Sequence, residues 1–140
     1  MDENLLHFVW KFRLFDSSNL TTPSGQRVEV IHPGYHNRDA GADFSNAKVK
    51  IDGVLWAGNV ELHLKSSDWF AHKHHTDGAY DNVILHVVFE KDKHTALRKS
   101  GEPIPVLELK DRIKPNTLSR FADLAKRKAS IPCKSFIKEV

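Results

Sequence analysis

The sequence predicts an α+β domain: a mixed β-sheet built on one long hairpin and flanked by an N-terminal and a C-terminal helix. Three observations carry this expectation. Residues 47–65 read as two strands around the turn signal Asp52-Gly53, residues 83–90 are almost unbroken apolar sequence, and helical periodicity is confined to the two ends. Strands gathered between terminal helices suit segregated layers rather than a repeating βαβ pattern. The length of 140 residues predicts a single domain over 1–140.

The elements follow in order. Asn4 to Leu14 repeats apolar residues at helical spacing through Leu5, Phe8, Val9 and Phe12, with Asp2 as the capping acid at the positive helix end. Ser17 to Gly25 is turn chemistry, and Arg27 to His32 is a short strand halted by Pro33-Gly34. Residues 33–46 are rich in Gly, Asn and Asp and predict an ordered loop. Ala47–Ile51 and Val54–Lys65 form the hairpin, with Gly58 marking a bulge or a close backbone approach. Residues 66–81 are a polar connection with a short helix opened by Ser66 or Ser67. Val83–Glu90 predicts a central strand, with Val83, Leu85, Val87 and Phe89 on one face and Ile84 and Val88 on the other. Ile104–Leu109 is an edge strand, and Asn116–Lys128 is the last helix, capped by Asn116, with Leu118, Phe121, Leu124 and Ala125 inward.

Composition excludes several classes. No segment approaches the roughly 20 apolar residues of a membrane span. The lone Cys133 excludes an intrachain disulfide framework and fits a cytoplasmic location. Net charge is only +3, but residues 98–140 hold eleven Lys/Arg against five Asp/Glu. A basic C-terminal third predicts nucleic acid or another acidic partner, with a solvated helix face as the plainer alternative.

Candidate chemistry concentrates on the return strand of the hairpin. Val60, Leu62 and Leu64 share one face, so burying them aligns Glu61, His63 and Lys65 on the other, roughly 6.6 Å apart along the backbone. Asp43 lies upstream in the loop, and His86 projects from the otherwise apolar strand 83–90. Two carboxylates beside a His or Lys suit a hard divalent cation and a polarised water. This predicts Asp43, Glu61 and His86 as metal ligands, with Mg²⁺ or Mn²⁺ ahead of Zn²⁺, and Asp43, Glu61, His63 and Lys65 as catalytic residues. A second group, His72, His74 and His75 followed by Asp77 and Asp81, has ligand chemistry for zinc but matches no defined motif.

An acid before one hairpin strand and an acid in the next resembles the PD-(D/E)xK nuclease core. That resemblance implies a metal-dependent phosphodiesterase, although His63 stands where that motif has lysine and Lys65 lies two residues farther on. Longer blocks carry a second resemblance: Phe8-Val9-Trp10-Lys11-Phe12, Ile31 through Phe44, Trp56 through Trp69, and Tyr80 through Val88. Together they are similar to domain-of-unknown-function family 2851, a bacterial family. Its members are longer, so the resemblance implies that these residues are the N-terminal part of a larger protein. The sequence thus leaves two readings: a divergent divalent-metal-dependent nuclease-like domain, or a non-catalytic module that binds a partner or the rest of its own chain.

Overall fold

Helix α1 (Glu3–Lys11) forms where its amphipathic stripe and its caps agree. The Asp2 carboxylate accepts the Leu5 N–H at 2.8 Å, and Leu5, Leu6, Val9 and Trp10 are buried. It stops short of the expected Leu14. Arg13 adopts a left-handed φ of 53°, the Leu14 N–H turns back to Val9 O, and the Arg13 N–H turns back to Trp10 O. This is a Schellman-type stop built without glycine. The Arg13 guanidinium holds it in place by donating to Val30 O and Ile31 O.

The computed structural model describes residues 1–117, 119–121 and 123, and shows the α+β fold. Its mixed sheet contains β1 (Val28–His32), β2 (Tyr35–His36), β3 (Phe44–Ile51), β4 (Val54–Lys65), β5 (Val83–Glu90) and β6 (Val106–Glu108). The order is β1-β3-β4-β5-β6, with β2 also paired to β3. Pairings from β1 to β4 are antiparallel, and β4, β5 and β6 run parallel. Asp52 and Gly53 take φ values of 50° and 81°, the two left-handed positions of a type I′ hairpin turn.

Strand β4 divides the interior. Val60 and Leu62 enter the main core with α1, Leu85, Val87 and Leu107, and Leu64 packs at its margin. On the opposite side Ala42, Trp69, Val83, Ala96 and Ile104 form a second, smaller cluster. The placement of Val83 corrects the sequence expectation. The β4/β5 register slips between Asn59 and Val60, so Ile84 joins Leu85 in the main core and Val83 crosses to the other cluster. Gly58 permits the approach: a Cβ there would lie 2.5 Å from Ile84 Cγ2 and 2.7 Å from Asn82 O.

The C-terminal helix, α3, begins at Pro115 rather than after Asn116 as cap, with proline in the first helical turn where its missing N–H is harmless. Phe121 packs on Phe8 with ring centroids 5.5 Å apart. Leu118, Leu124, Ala125 and the basic residues beyond 123 lie outside the described residues. Among those described, no helix is long and apolar enough to cross a membrane.

Candidate metal centre

The site begins where the β3/β4 ladder gives way to side chains. Beyond the Phe44–Val60 pair, Asp43 N–H donates to Glu61 Oε1 at 3.0 Å, and Leu62 N–H donates to Asp43 Oδ2 at 2.9 Å. Each carboxylate therefore occupies the place of a backbone carbonyl, which fixes both groups to the sheet. The preceding loop is held by Asn37, whose side-chain amide donates to Ala40 O and Ala42 O, while its own N–H donates to Asp43 O.

The crossover from β4 to β5 supplies the other wall. Helix α2 (Asp68–Ala71) buries Trp69 against the sheet, and the Trp69 indole donates to Leu97 O at 2.9 Å. Asp92 anchors its start by accepting from the Ser66 hydroxyl and the Ser67 N–H. After α2 the chain reverses at Lys73, left-handed at φ 58°, which lets His72 and His74 both meet β4.

Four imidazoles and a carboxylate converge. His74 Nε2 lies 2.7 Å from Glu61 Oε2, and His63 Nε2 lies 3.5 Å from the same oxygen. His63 Nε2 is 3.2 Å from His72 Nδ1, and His63 Nδ1 is 2.8 Å from His86 Nε2. One nitrogen each from His63, His72 and His74 falls within a mutual distance of 4.8 Å. His74 stacks on Tyr80 at 3.7 Å and meets Trp69 edge-on. On the far side His7 Nε2 approaches Asp43 Oδ2 at 3.6 Å, and His7 Nδ1 lies 3.3 Å from His36 Nε2.

Burial sets the charges. It lowers His63 to about 2, helped by the neighbouring rings of His86, His74 and His72, and it lowers His86 to about 3 and His74 below its ordinary value. These rings are neutral at pH 7 and each keeps one lone pair for a ligand. Burial raises Glu61 to about 7. Asp43 is raised to about 7 by burial and then by the charge of Glu61, to which it is hydrogen-bonded. Two neighbouring acids raised together in this way titrate as a pair.

Two of the spacings suit an ion. A tetrahedral cation with ligands roughly 2.0–2.1 Å away spaces the ligand atoms roughly 3.3 Å from one another. The 3.2 Å and 3.5 Å separations around His63 Nε2 lie at that spacing. The 2.7 Å contact between Glu61 and His74 is a hydrogen bond whose proton a cation would displace.

The structure brings Asp43, Glu61 and His63 together. His86 lies one ring behind them, bonded to His63. Lys65 is exposed, its backbone N–H bonded to Asp68 and its place in the register opposite Glu90. His72 and His74 stood in the sequence as a separate cluster, and only the crossover joins them to Glu61. His75 packs instead on Phe70, Asp77 accepts from Ala79 N–H, and Asp81 Oδ1 faces Lys99 N–H. The H-x-H spacing was the available signal for this wall; His7 and Tyr80 carried none.

A family model described as "Protein of unknown function (DUF2851)" matches residues 3–140. No curated protein and no solved structure matches the chain.

Proposed function

The chain belongs to the DUF2851 family of proteins of unknown function, and from its geometry we propose that it holds one divalent transition-metal ion and uses it to hydrolyse phosphodiesters. His63 Nε2, His72 Nδ1 and His74 Nε2 are the nitrogen ligands, and Glu61 Oε2 closes the buried side. The observation that carries this reading is the approach of those three nitrogens to within 4.8 Å of one another beside a buried carboxylate. Three imidazoles to one carboxylate favour Zn²⁺ over Mg²⁺, reversing the preference that Asp43 and Glu61 alone suggest. The ion supplies a Lewis acid and a water of lowered pKa.

Asp43 is the base in this reading. Its carboxyl, raised to about 7, can accept a proton near neutral pH, and its bond from Leu62 N–H fixes its direction. His72 is exposed, which leaves the solvent side open to water and substrate. Phosphodiester is the substrate class because an acid stands at each strand of a hairpin that leads, through a helical crossover, to a parallel third strand. The basic residues of 98–140 suit the same substrate and an acidic partner such as nucleic acid. Lys65 takes no part, so the ion must neutralise the phosphate itself.

The test is hydrolysis of bis-p-nitrophenyl phosphate by protein reconstituted with Zn²⁺ or Mn²⁺. Turnover in the wild type that is lost in His74→Ala, with the fold intact, is expected. Stoichiometric metal with no turnover of this ester or of single- and double-stranded nucleic acid would leave a binding module. One observation favours that second reading: Val54, Leu55 and Trp56 at the hairpin tip are 57%, 55% and 49% exposed.

A further inference from the structure

A histidine that binds an ion through one ring nitrogen almost always donates the hydrogen on its other nitrogen to a neighbour. For His63 to face the cluster with the lone pair of Nε2, its hydrogen must sit on Nδ1. The atom placed to receive it is His86 Nε2, 2.8 Å away. His86 is wholly buried on β5, opposite Glu61 in the register and edge-on to Trp69 at 5.2 Å. Its own hydrogen then occupies Nδ1, a buried atom with no hydrogen-bond partner among the described residues.

The single short bond between these rings has two neutral forms. In one, His86 Nε2–H donates to His63 Nδ1, and His63 carries its hydrogen on Nε2, directed toward Glu61 Oε2 and His72 Nδ1. In the other, His63 Nδ1–H donates to His86 Nε2, and the His63 Nε2 lone pair faces the Glu61 oxygen. Without a cation the first form wins, because a hydrogen beside a carboxylate attracts and a lone pair there repels. A cation between Nε2 and the carboxylate reverses that order. Both rings stay neutral throughout: the bridging proton passes from His86 to His63, one proton leaves His63 Nε2, and one reaches His86 Nδ1.

We infer that His86 is the positioning residue of the centre: it accepts the His63 Nδ1 hydrogen and so turns the Nε2 lone pair of His63 toward the ion. The inference rests on the metal reading above, and it gives His86 a role behind the ligands rather than among them.

Nitrogen-15 NMR of the histidine rings, recorded with and without Zn²⁺, reads both tautomers directly. The expected result is hydrogen on Nε2 of His63 and His86 without Zn²⁺, and on Nδ1 of both with it. His86→Phe keeps the ring volume but removes the acceptor, and should weaken Zn²⁺ binding roughly 10–100-fold. His86→Gln restores an acceptor, and should recover most of that affinity. If the Phe variant does not fold, the wild-type spectra and the Gln variant still decide the matter. A Zn²⁺-loaded protein in which His63 keeps its Nε2 hydrogen, or a folded His86→Phe that binds Zn²⁺ as the wild type does, overturns the inference while leaving the metal centre in place. Zn²⁺ that shifts none of His63, His72 and His74 removes the metal reading and this inference together.

Discussion

The two faces of strand β4 are made by alternate residues of one short stretch and built on opposite principles. On one face Val60 and Leu62 are held by α1 and the neighbouring strands, and any apolar side chain of similar volume would serve. On the other face Glu61 and His63 are as deeply buried, yet they are held by directional polar contacts: Asp43 N–H, His74, His72 and His86. The apolar face gains free energy from being dry. The polar face loses free energy by being dry and recovers part of it through its hydrogen bonds. The difference teaches that burial alone does not mark a core in this sheet.

The contrast is sharpest in a pair of truncations. Leu62→Ala should destabilise by about 2–5 kcal/mol through the cavity it leaves, while the ligand set on the opposite face still binds Zn²⁺. Urea melts with and without the ion check both halves. Zn²⁺ at 100 times its dissociation constant should stabilise the wild type by about 2.7 kcal/mol, and His74→Ala should lose that increment, as read by thermal unfolding. An increment that persists in His74→Ala would mean that the polar face is not where the ion sits.

Gly58→Ala tests the seam between the faces. The new Cβ meets Ile84 and Asn82 O, so a loss of about 1–3 kcal/mol in chemical denaturation is expected, with the Val83 side of the sheet disturbed first.

A further effect is set by pH. The folded pKa of Glu61 is raised by burial to about 7, above its ordinary value of 4.5, so the folded state holds a proton that the unfolded state has released. Stability from this group therefore falls as pH rises from about 4.5 to about 7, and the loss is complete above that. Glu61→Gln removes the effect and also the charge that raises Asp43. In metal-free buffer the variant should gain on the wild type as pH rises through this window, and show no gain below about pH 4.5. A wild type that is the more stable of the two at pH 8 would show that the carboxylate is a structural partner of His74 rather than an unsatisfied ligand.

Much of this was legible from local signals. Asp52-Gly53 specifies its turn through two left-handed positions, and alternation alone separates Leu62 from His63. What was not legible depends on contacts distant in sequence. Arg13 ends α1 because two carbonyls of β1 hold its side chain, where no glycine announced a stop. The slip between Asn59 and Val60 exchanges Val83 for Ile84, which no period-two pattern reveals. Of the site, the strand row and Asp43 could be read directly. The imidazoles of His72 and His74 could not be joined to it, because their arrival depends on Trp69 docking and on a left-handed Lys73. Lys65 shared the row by parity yet continues past the cluster into solvent.

In the proposed reading the polar face of β4 is a metal centre with three histidine ligands from two parts of the chain. Calorimetric titration of Zn²⁺ into metal-free protein tests it most directly, comparing the wild type with folded His63→Ala and His72→Ala variants. The account predicts one ion per chain in the wild type and loss of that stoichiometric binding in both variants, although one histidine comes from β4 and the other from the crossover. A wild type that takes up no Zn²⁺, or variants that bind it unchanged, would contradict it.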